Sequence, residues 1–188
     1  NVHGTTSGRL SSSRNLNYQN IPRDNKDIKK LFRARPGYKI IQCDLGTAEV
    51  YYAAMLSGDQ FLQKAFIDKL DFHSYVAKQM FNLPEEVNEV KKIHPNERQY
   101  AKAITFGIMY QAGPAKIAET VNKDAKSGEE ISVPQSKQFI NKYFSEAKML
   151  KKFIDSSNQQ IENHAFIYSF FGRKRRLPEA KSPNQGVA

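Results

Sequence analysis

The chain has 188 residues, 39% hydrophobic and 26% charged, enough apolar material for one ordinary domain or two small lobes and too much for wholesale disorder. No apolar run reaches the length of a bilayer span and the N-terminus lacks a signal-peptide pattern, so a soluble protein with no membrane partner is expected. Lys and Arg number 29 against 19 Asp and Glu, a net charge of +10, which favours a polyanionic partner because each neutralised phosphate releases condensed counterions.

Residues 1–23 are rich in Gly, Ser, Thr and Asn and have no helical period, so they read as loop or short extended pieces, with Leu10, Leu16, Tyr18 and Ile21 spaced to anchor them on a surface. A helical turn or two is expected over residues 27–32, then a turn at Pro36-Gly37. The short apolar run 38–44 predicts a buried strand. Cys43 within it is then a buried free thiol, and as the single cysteine it excludes an internal disulfide. After Gly46 the pattern turns helical, with Ala48, Tyr52, Met55 and Leu56 on one face. Asp44 thus sits at a strand end and Glu49 early in the following helix.

Residues 60–83 predict two helices broken near Leu70-Asp71, closed by Pro84. Pro95 suits the first turn of a helix running to about residue 112, where Gly113-Pro114 stops it. A shorter helix over 115–121 and a polar exposed loop over 122–134 follow. One long amphipathic helix is expected over residues 136–163, with Phe139, Tyr143, Met149, Leu150, Phe153 and Ile161 as core candidates. The segment 164–178 resembles a hairpin turning near Gly172. The order of elements predicts an α+β fold with a helical insertion.

Arg98, Lys102 and Phe106 are spaced i, i+4, i+8 and fall on one slowly drifting stripe, while Ala101, Ile104 and Ile108 face inward. Two cations can hold phosphate oxygens and a ring can contact a sugar or base. For an isolated helix a solvated face is the simpler account. Tyr110 one turn further on and Gly107 beside Phe106 favour a ligand, because a mid-helix glycine signals close approach. Asp44 alone would be a cap or an ion-pair partner; beside a phosphate-binding stripe it is a candidate Mg²⁺ ligand. The run Arg173-Lys174-Arg175-Arg176 is a solvated turn, a targeting-like patch or a contact for nucleic-acid backbone, of which the last is favoured in so basic a chain.

These residues resemble family A DNA polymerases. Asp44-Leu45-Gly46-Thr47-Ala48-Glu49 is similar to the family's first carboxylate motif, and Arg98 to Tyr110 to its fingers-helix motif R-x₃-K-x₃-[FY]-G-x₂-Y. Thr6 to Ser12 and Asn20-Ile21-Pro22 resemble its T-G-R-L-S-S and Q-N-I-P elements, Asp71-Phe72-His73 its D-x-H, Gly172 to Arg175 with Leu177-Pro178 its G-R-x-R…L-P, and Pro183 to Gly186 its P-x-Q-G. The motifs keep the family order across nearly the whole chain.

The resemblance implies part of a right-hand polymerase fold: palm over residues 1–59, helical fingers over 60–163, and a hairpin returning to an antiparallel palm sheet over 164–188. It implies template-directed DNA synthesis on a primer–template from deoxynucleoside triphosphates, in the cytoplasm of a bacterium or a phage-infected cell. Asp44, with the Leu45 carbonyl, would coordinate catalytic Mg²⁺. Glu49 would be the gate that excludes a ribose 2′-hydroxyl. His73, Arg98 and Lys102 would bind the triphosphate, Phe106 would pack on the sugar, and Tyr110 would stack near the templating position. Arg9 and Gln185 would touch the primer–template minor groove, and Arg173 and Arg175 the DNA backbone.

Departures from the pattern point to a divergent member, such as one from a phage. Gly46 and Thr47 stand where a hydroxyl and Gln are usual, Tyr51 where an Arg is frequent, and Gln111 where a Gly commonly follows the stacking tyrosine. The stretch between Pro178 and Pro183 is shorter than usual. The family's second metal carboxylate motif is expected outside this chain, downstream or on a second polypeptide. Two other readings compete: a nucleic-acid-binding module without chemistry, against which Asp44 and Glu49 argue, and a single-subunit RNA polymerase, against which Glu49 argues.

Overall fold

A computed structural model describes residues 5, 9–12, 20–22, 25–123 and 130–181. Among the described residues there are nine α-helices and one antiparallel pair of strands: α1 Lys26–Lys30, α2 Ala48–Ser57, α3 Gln60–Ile67, α4 Phe72–Phe81, α5 Val87–Ile93, α6 Pro95–Met109, α7 Pro114–Asn122, α8 Val133–Glu146, α9 Lys148–His164, β1 Phe166–Tyr168 and β2 Lys174–Arg176. The α+β class is as expected. Gln185, the rest of the P-x-Q-G segment, Thr6 to Gly8, Leu16, Tyr18 and residues 124–129 of the predicted loop over 122–134 lie outside the described residues. Two compact units emerge: residues 46–158 form a helical one, and the described residues up to Leu45 with those from Gln159 onward form the other.

In the helical unit, short polar residues start the helices and left-handed residues end them. Asp59 and Asp71 are N-caps whose carboxylates accept the Leu62 amide at 3.2 Å and the Ser74 amide at 2.9 Å. Pro95 and Pro114 occupy the first turns of α6 and α7, where no amide is needed. Gly58 (φ +66°) ends α2 and Asn82 (φ +52°) ends α4. Ser132 and Gln135 form a reciprocal capping box that starts α8 three residues earlier than the sequence suggests.

The core gathers Val50, Leu62, Val76, Ile104, Ile117 and Leu150, all essentially inaccessible to solvent. α4 packs along α6, and α7 lies against both α6 and α8. Ala101, Ile104 and Ile108 point inward as their spacing requires. The close approach signalled by Gly107 comes from within the protein: a Cβ there would stand 2.4 Å from Ile117 Cγ1. The α6–α7 contact therefore accounts for this glycine, and it says nothing about a ligand.

Three local expectations are corrected. The single helix over 136–163 is two helices, broken at the fully buried Ala147 (ψ +58°). The cause is distant in sequence: the second carboxylate oxygen of Asp59 accepts the Met149 and Leu150 amides at 2.9 and 3.0 Å, capping α9 as the first caps α3. Of the core candidates in this stretch, Tyr143 and Leu150 are buried, Phe139 packs at the core margin, and Met149 and Phe153 are exposed. Second, residues 38–44 form no strand among the described residues, and Tyr38, Ile40, Ile41 and Cys43 are exposed. An apolar run becomes a strand only where a neighbouring ladder satisfies its backbone groups, and no described segment pairs with it. Third, α2 buries Val50, Ala54 and Ser57, while Tyr52, Met55 and Leu56 face outward.

In the other unit, β1 pairs with β2 in the register Phe166↔Arg176, Ile167↔Arg175 and Tyr168↔Lys174. Gly172 (φ +77°) supplies the left-handed turn. The Lys174 ammonium lies 3.6 Å from the Phe166 ring centre, and Phe170 and Phe171 are exposed at the tip.

Asp59→Ala removes one acceptor from two helix starts at once, so unfolding free energy of the chain is expected to fall by about 3 kcal/mol in urea denaturation followed by circular dichroism. A loss under about 1 kcal/mol, the size of one exposed cap, would show that the shared cap carries nothing.

Gly107→Ala should destabilise by roughly 1–3 kcal/mol through overpacking against Ile117, despite alanine's better helix propensity. Combining it with Ile117→Val should recover part of that loss in the same measurement.

Candidate functional site

The stripe along α6 meets the first turn of α4 at Arg98. Its Nε donates to Asp71 Oδ2 at 2.8 Å and its Nη2 to Asp71 Oδ1 at 2.9 Å, a two-pronged pair. Asp71 Oδ2 also accepts the Ser74 amide at 2.9 Å and the Ser74 hydroxyl at 2.6 Å. Burial alone pushes the Asp71 carboxyl up, but the Arg98 and Ser74 hydrogen bonds outweigh it and hold the group far below the usual carboxylate range. The same bond raises the Arg98 pKa.

His73, two residues beyond Asp71, is buried, and its Nδ1 has no hydrogen-bond partner among the described residues. Its ring centre lies 5.8 Å from that of Phe106. Burial lowers the His73 pKa to about 4; Asp71 opposes the shift, while Arg98 and Lys102 add to it. His73 is therefore a neutral imidazole at neutral pH, within electrostatic range of both cations of the stripe.

Further along α6, Lys102 and Phe106 are half-buried and Tyr110, the C-cap, is exposed. Lys102, Phe106, Gly107 and Tyr110 form one wall of an open groove of about 380 Å³ whose other wall is α7, with Lys116 and Thr120. The structure thus brings together five of the residues picked out in the sequence: His73, Arg98, Lys102, Phe106 and Tyr110. Chemically the face offers a guanidinium held in place, an ammonium, a neutral imidazole and two aromatic rings, a set suited to a phosphate-bearing aromatic ligand.

Glu49 stands exposed in the first turn of α2, in the same unit. Asp44, Leu45, Arg9, Arg173 and Arg175 belong to the other unit, all exposed. Asp44 ends no strand; it precedes the turn at Gly46-Thr47, where Thr47 adopts φ +56°. Among the described residues no group of three or more His, Cys, Asp or Glu gathers to hold a metal.

The sequence reading missed two features of the face. Asp71 entered only as a break between helices and as part of D-x-H, yet it anchors Arg98 across 27 positions. Lys116 and Thr120 were not singled out, although their i, i+4 spacing after Pro114 is a signal that could have found them. Gln111, in place of the usual glycine, adopts a left-handed conformation (φ +53°), and its Oε1 accepts a hydrogen bond from Asn158 at 2.8 Å.

A sequence profile described as DNA polymerase family A matches residues 1–188. The chain belongs to DNA polymerase family A. It is 52% identical to the DNA polymerase of Escherichia phage T5, over 98% of this chain and 23% of that protein. It is 32% identical to DNA polymerase I of Caldicellulosiruptor bescii, over 98% of this chain and 20% of the relative. A solved structure described as the POL domain of Pol1 from M. smegmatis in complex with DNA primer-template and dNTP matches with a TM-score of 0.79 at 28% identity, over 97% of this chain and 30% of that one. The chain therefore spans less than a quarter of the length of these two curated relatives. For this family A chain, the R-x₃-K-x₃-F-G-x₂-Y pattern lies on one helix, α6, and the D-x-H pattern on the turn packed against it.

Because folded His73 titrates near pH 4 against 6.5 for the free side chain, the unfolded chain binds more protons between those values. The stability from keeping His73 neutral is complete above about pH 6.5 and declines as pH falls towards 4. Asp71 acts at lower pH: its contribution is full above about 3.9 and is lost as pH falls through its depressed value. In an NMR titration the His73 ring protons should show a midpoint near 4; a midpoint near 6.5 would mean that burial does not hold the ring neutral.

Proposed function

We propose that this chain is the palm-and-fingers portion of a DNA polymerase that carries out template-directed addition of deoxynucleoside triphosphates to a primer 3′-hydroxyl. The observation that carries the reading is the α6 face: Arg98, Lys102, Phe106 and Tyr110 along one helix, with His73 brought against it by the Asp71–Arg98 pair. Its family membership, and the primer-template and dNTP named for the similar M. smegmatis structure, support the same ligands here. In this reading residues 60–163 are fingers, and residues 1–59 and 164–188 belong to the palm.

Arg98, Lys102 and His73 hold the triphosphate, the last as a neutral hydrogen-bonding ring. Phe106 packs on the sugar and Tyr110 stacks beside the templating base. Glu49 closes against a 2′-hydroxyl, so the site takes deoxyribonucleotides. Arg9, Gln185, Arg173 and Arg175 contact DNA, where the net charge of +10 also acts. The reaction belongs in the cytoplasm of a bacterium or a phage-infected cell.

The donor set at Asp44 fits Mg²⁺ in part. An exposed carboxylate and the neighbouring Leu45 carbonyl are hard oxygen ligands, and Mg²⁺ is commonly held by one or two carboxylates together with substrate phosphates. When bound, the ion supplies neutralisation of charge on the phosphates and orientation of the attacking and leaving oxygens. A further carboxylate comes from outside the described residues in this reading, from the rest of the polymerase or from a second polypeptide.

The test is Mg²⁺-dependent primer extension by the complete polymerase containing this chain. Asp44→Ala should lower incorporation by about 10³-fold or more. Glu49→Ala should raise ribonucleotide incorporation relative to deoxyribonucleotide while primer–template affinity stays the same. Unchanged extension by Asp44→Ala would sink the assignment of the metal ligand, and nucleotide-independent DNA binding as the sole activity would favour a binding module.

A further inference from the structure

A guanidinium is a rigid planar fork with five N–H donors, and a ligand can use only the edge that the protein leaves open. Asp71 takes the side of the Arg98 fork formed by Nε and Nη2. The end-on edge, made by Nη1 and the outer N–H of Nη2, is what these two bonds leave. The carboxylate that holds the fork is itself fixed, because it is the N-cap of α4 and accepts both the amide and the hydroxyl of Ser74. His73 lies in the same first turn, with its buried Nδ1 unpartnered among the described residues.

A carboxylate beside a polyanion site is unfavourable by Coulomb's law alone. If charge were all that mattered, removing it would strengthen nucleotide binding. The geometry gives the opposite expectation. A fork with free torsions presents its edges at random and loses entropy on binding, whereas a fork held at two points presents one edge already oriented.

We propose that Asp71 is a positioning residue of the triphosphate site: it clamps Arg98 so that the end-on edge of the guanidinium faces the phosphates, and it ties that edge to His73 through the capped first turn of α4. Asp71 itself touches no substrate. The proposal rests on the polymerase reading above and names the residue on which the phosphate grip depends. It also makes Arg98→Lys a severe change, because a single ammonium cannot be held by Asp71 and still offer a second, fixed edge.

The decisive variant is Asp71→Asn in the complete polymerase. It keeps the size of the side chain and an oxygen for the Ser74 amide, but it removes the charge and one of the two acceptors for Arg98. In single-turnover extension with Mg²⁺, the apparent affinity for dNTP is expected to fall roughly tenfold or more, as for loss of a charge-assisted two-pronged bond. The maximal rate should change less, and primer–template affinity should hold. Arg98→Ala with Asp71→Asn should be no worse than Arg98→Ala alone, because the two act as one unit. Ser132→Ala, which trims the cap of α8 and touches neither Asp71 nor Arg98, should lower the melting temperature and leave dNTP affinity in place.

Tighter or unchanged dNTP binding by Asp71→Asn overturns the proposal, as does full additivity with Arg98→Ala. An equal loss of melting temperature, primer–template affinity and rate in Asp71→Asn marks a merely structural role and overturns it too. Failure of the wild-type polymerase to extend a primer would instead remove the functional reading beneath it.

Discussion

The carboxylate of Asp71 is the point at which the fold and the site of this protein become one problem. It begins α4, it pins Arg98 on α6, and its charge is felt by the buried imidazole of His73. Although Asp71 is exposed, both of its carboxylate oxygens are taken up, by Ser74 and Arg98 together. The α4–α6 packing that forms the heart of the helical unit is thus joined at its edge by the same pair that orders the cationic face. Core packing sets the distance between the helices, and the ion pair sets the orientation of the groups on their rim.

The second organising feature is the way α6 is held from its other side. Gly107 lets α7 approach so closely that Ile117 occupies the space a side chain would need. That approach turns a helix face into a groove, with Lys102, Phe106 and Tyr110 on one wall and α7 on the other. The polar stripe gains shape from a contact between apolar residues behind it. Asp59 plays a comparable role at the base of the unit, where one carboxylate starts both α3 and α9. In each case a single small or charged residue replaces what would otherwise need several contacts.

Much of the site was legible in the sequence because a helix converts spacing into direction. Arg98, Lys102, Phe106 and Tyr110 share a face for the same reason that Ala101, Ile104 and Ile108 share the opposite one, and the structure keeps both. Pro95 marked a helix start correctly, since it removes an amide that the helix leaves open, whereas Gly113-Pro114 read only as the stop of α6 and the caps at Asp59 and Asp71 did not stand out. The hairpin at Gly172 was visible through its left-handed turn residue. Family membership followed from the order of motifs, which no single spacing could have shown.

What the sequence by itself determined is therefore local: helix faces, helix starts, the hairpin turn and the order of the motifs. Tertiary structure decided whatever depends on a partner far along the chain. Ala147 breaks a continuous amphipathic pattern because Asp59, some 90 positions earlier, caps the amides beyond it. Residues 38–44 have the composition of a strand, yet no described segment supplies the ladder that would make them one. The inward face of α2 is Val50 and Ala54 rather than Tyr52 and Met55, since the neighbours that bury a helix choose its face. Asp71 marked only a break between helices and one place in a motif until the fold carried Arg98 to it. Side-chain period is a property of the backbone and can be read from one strand of text; pairing is a property of two segments, and only folding brings them together.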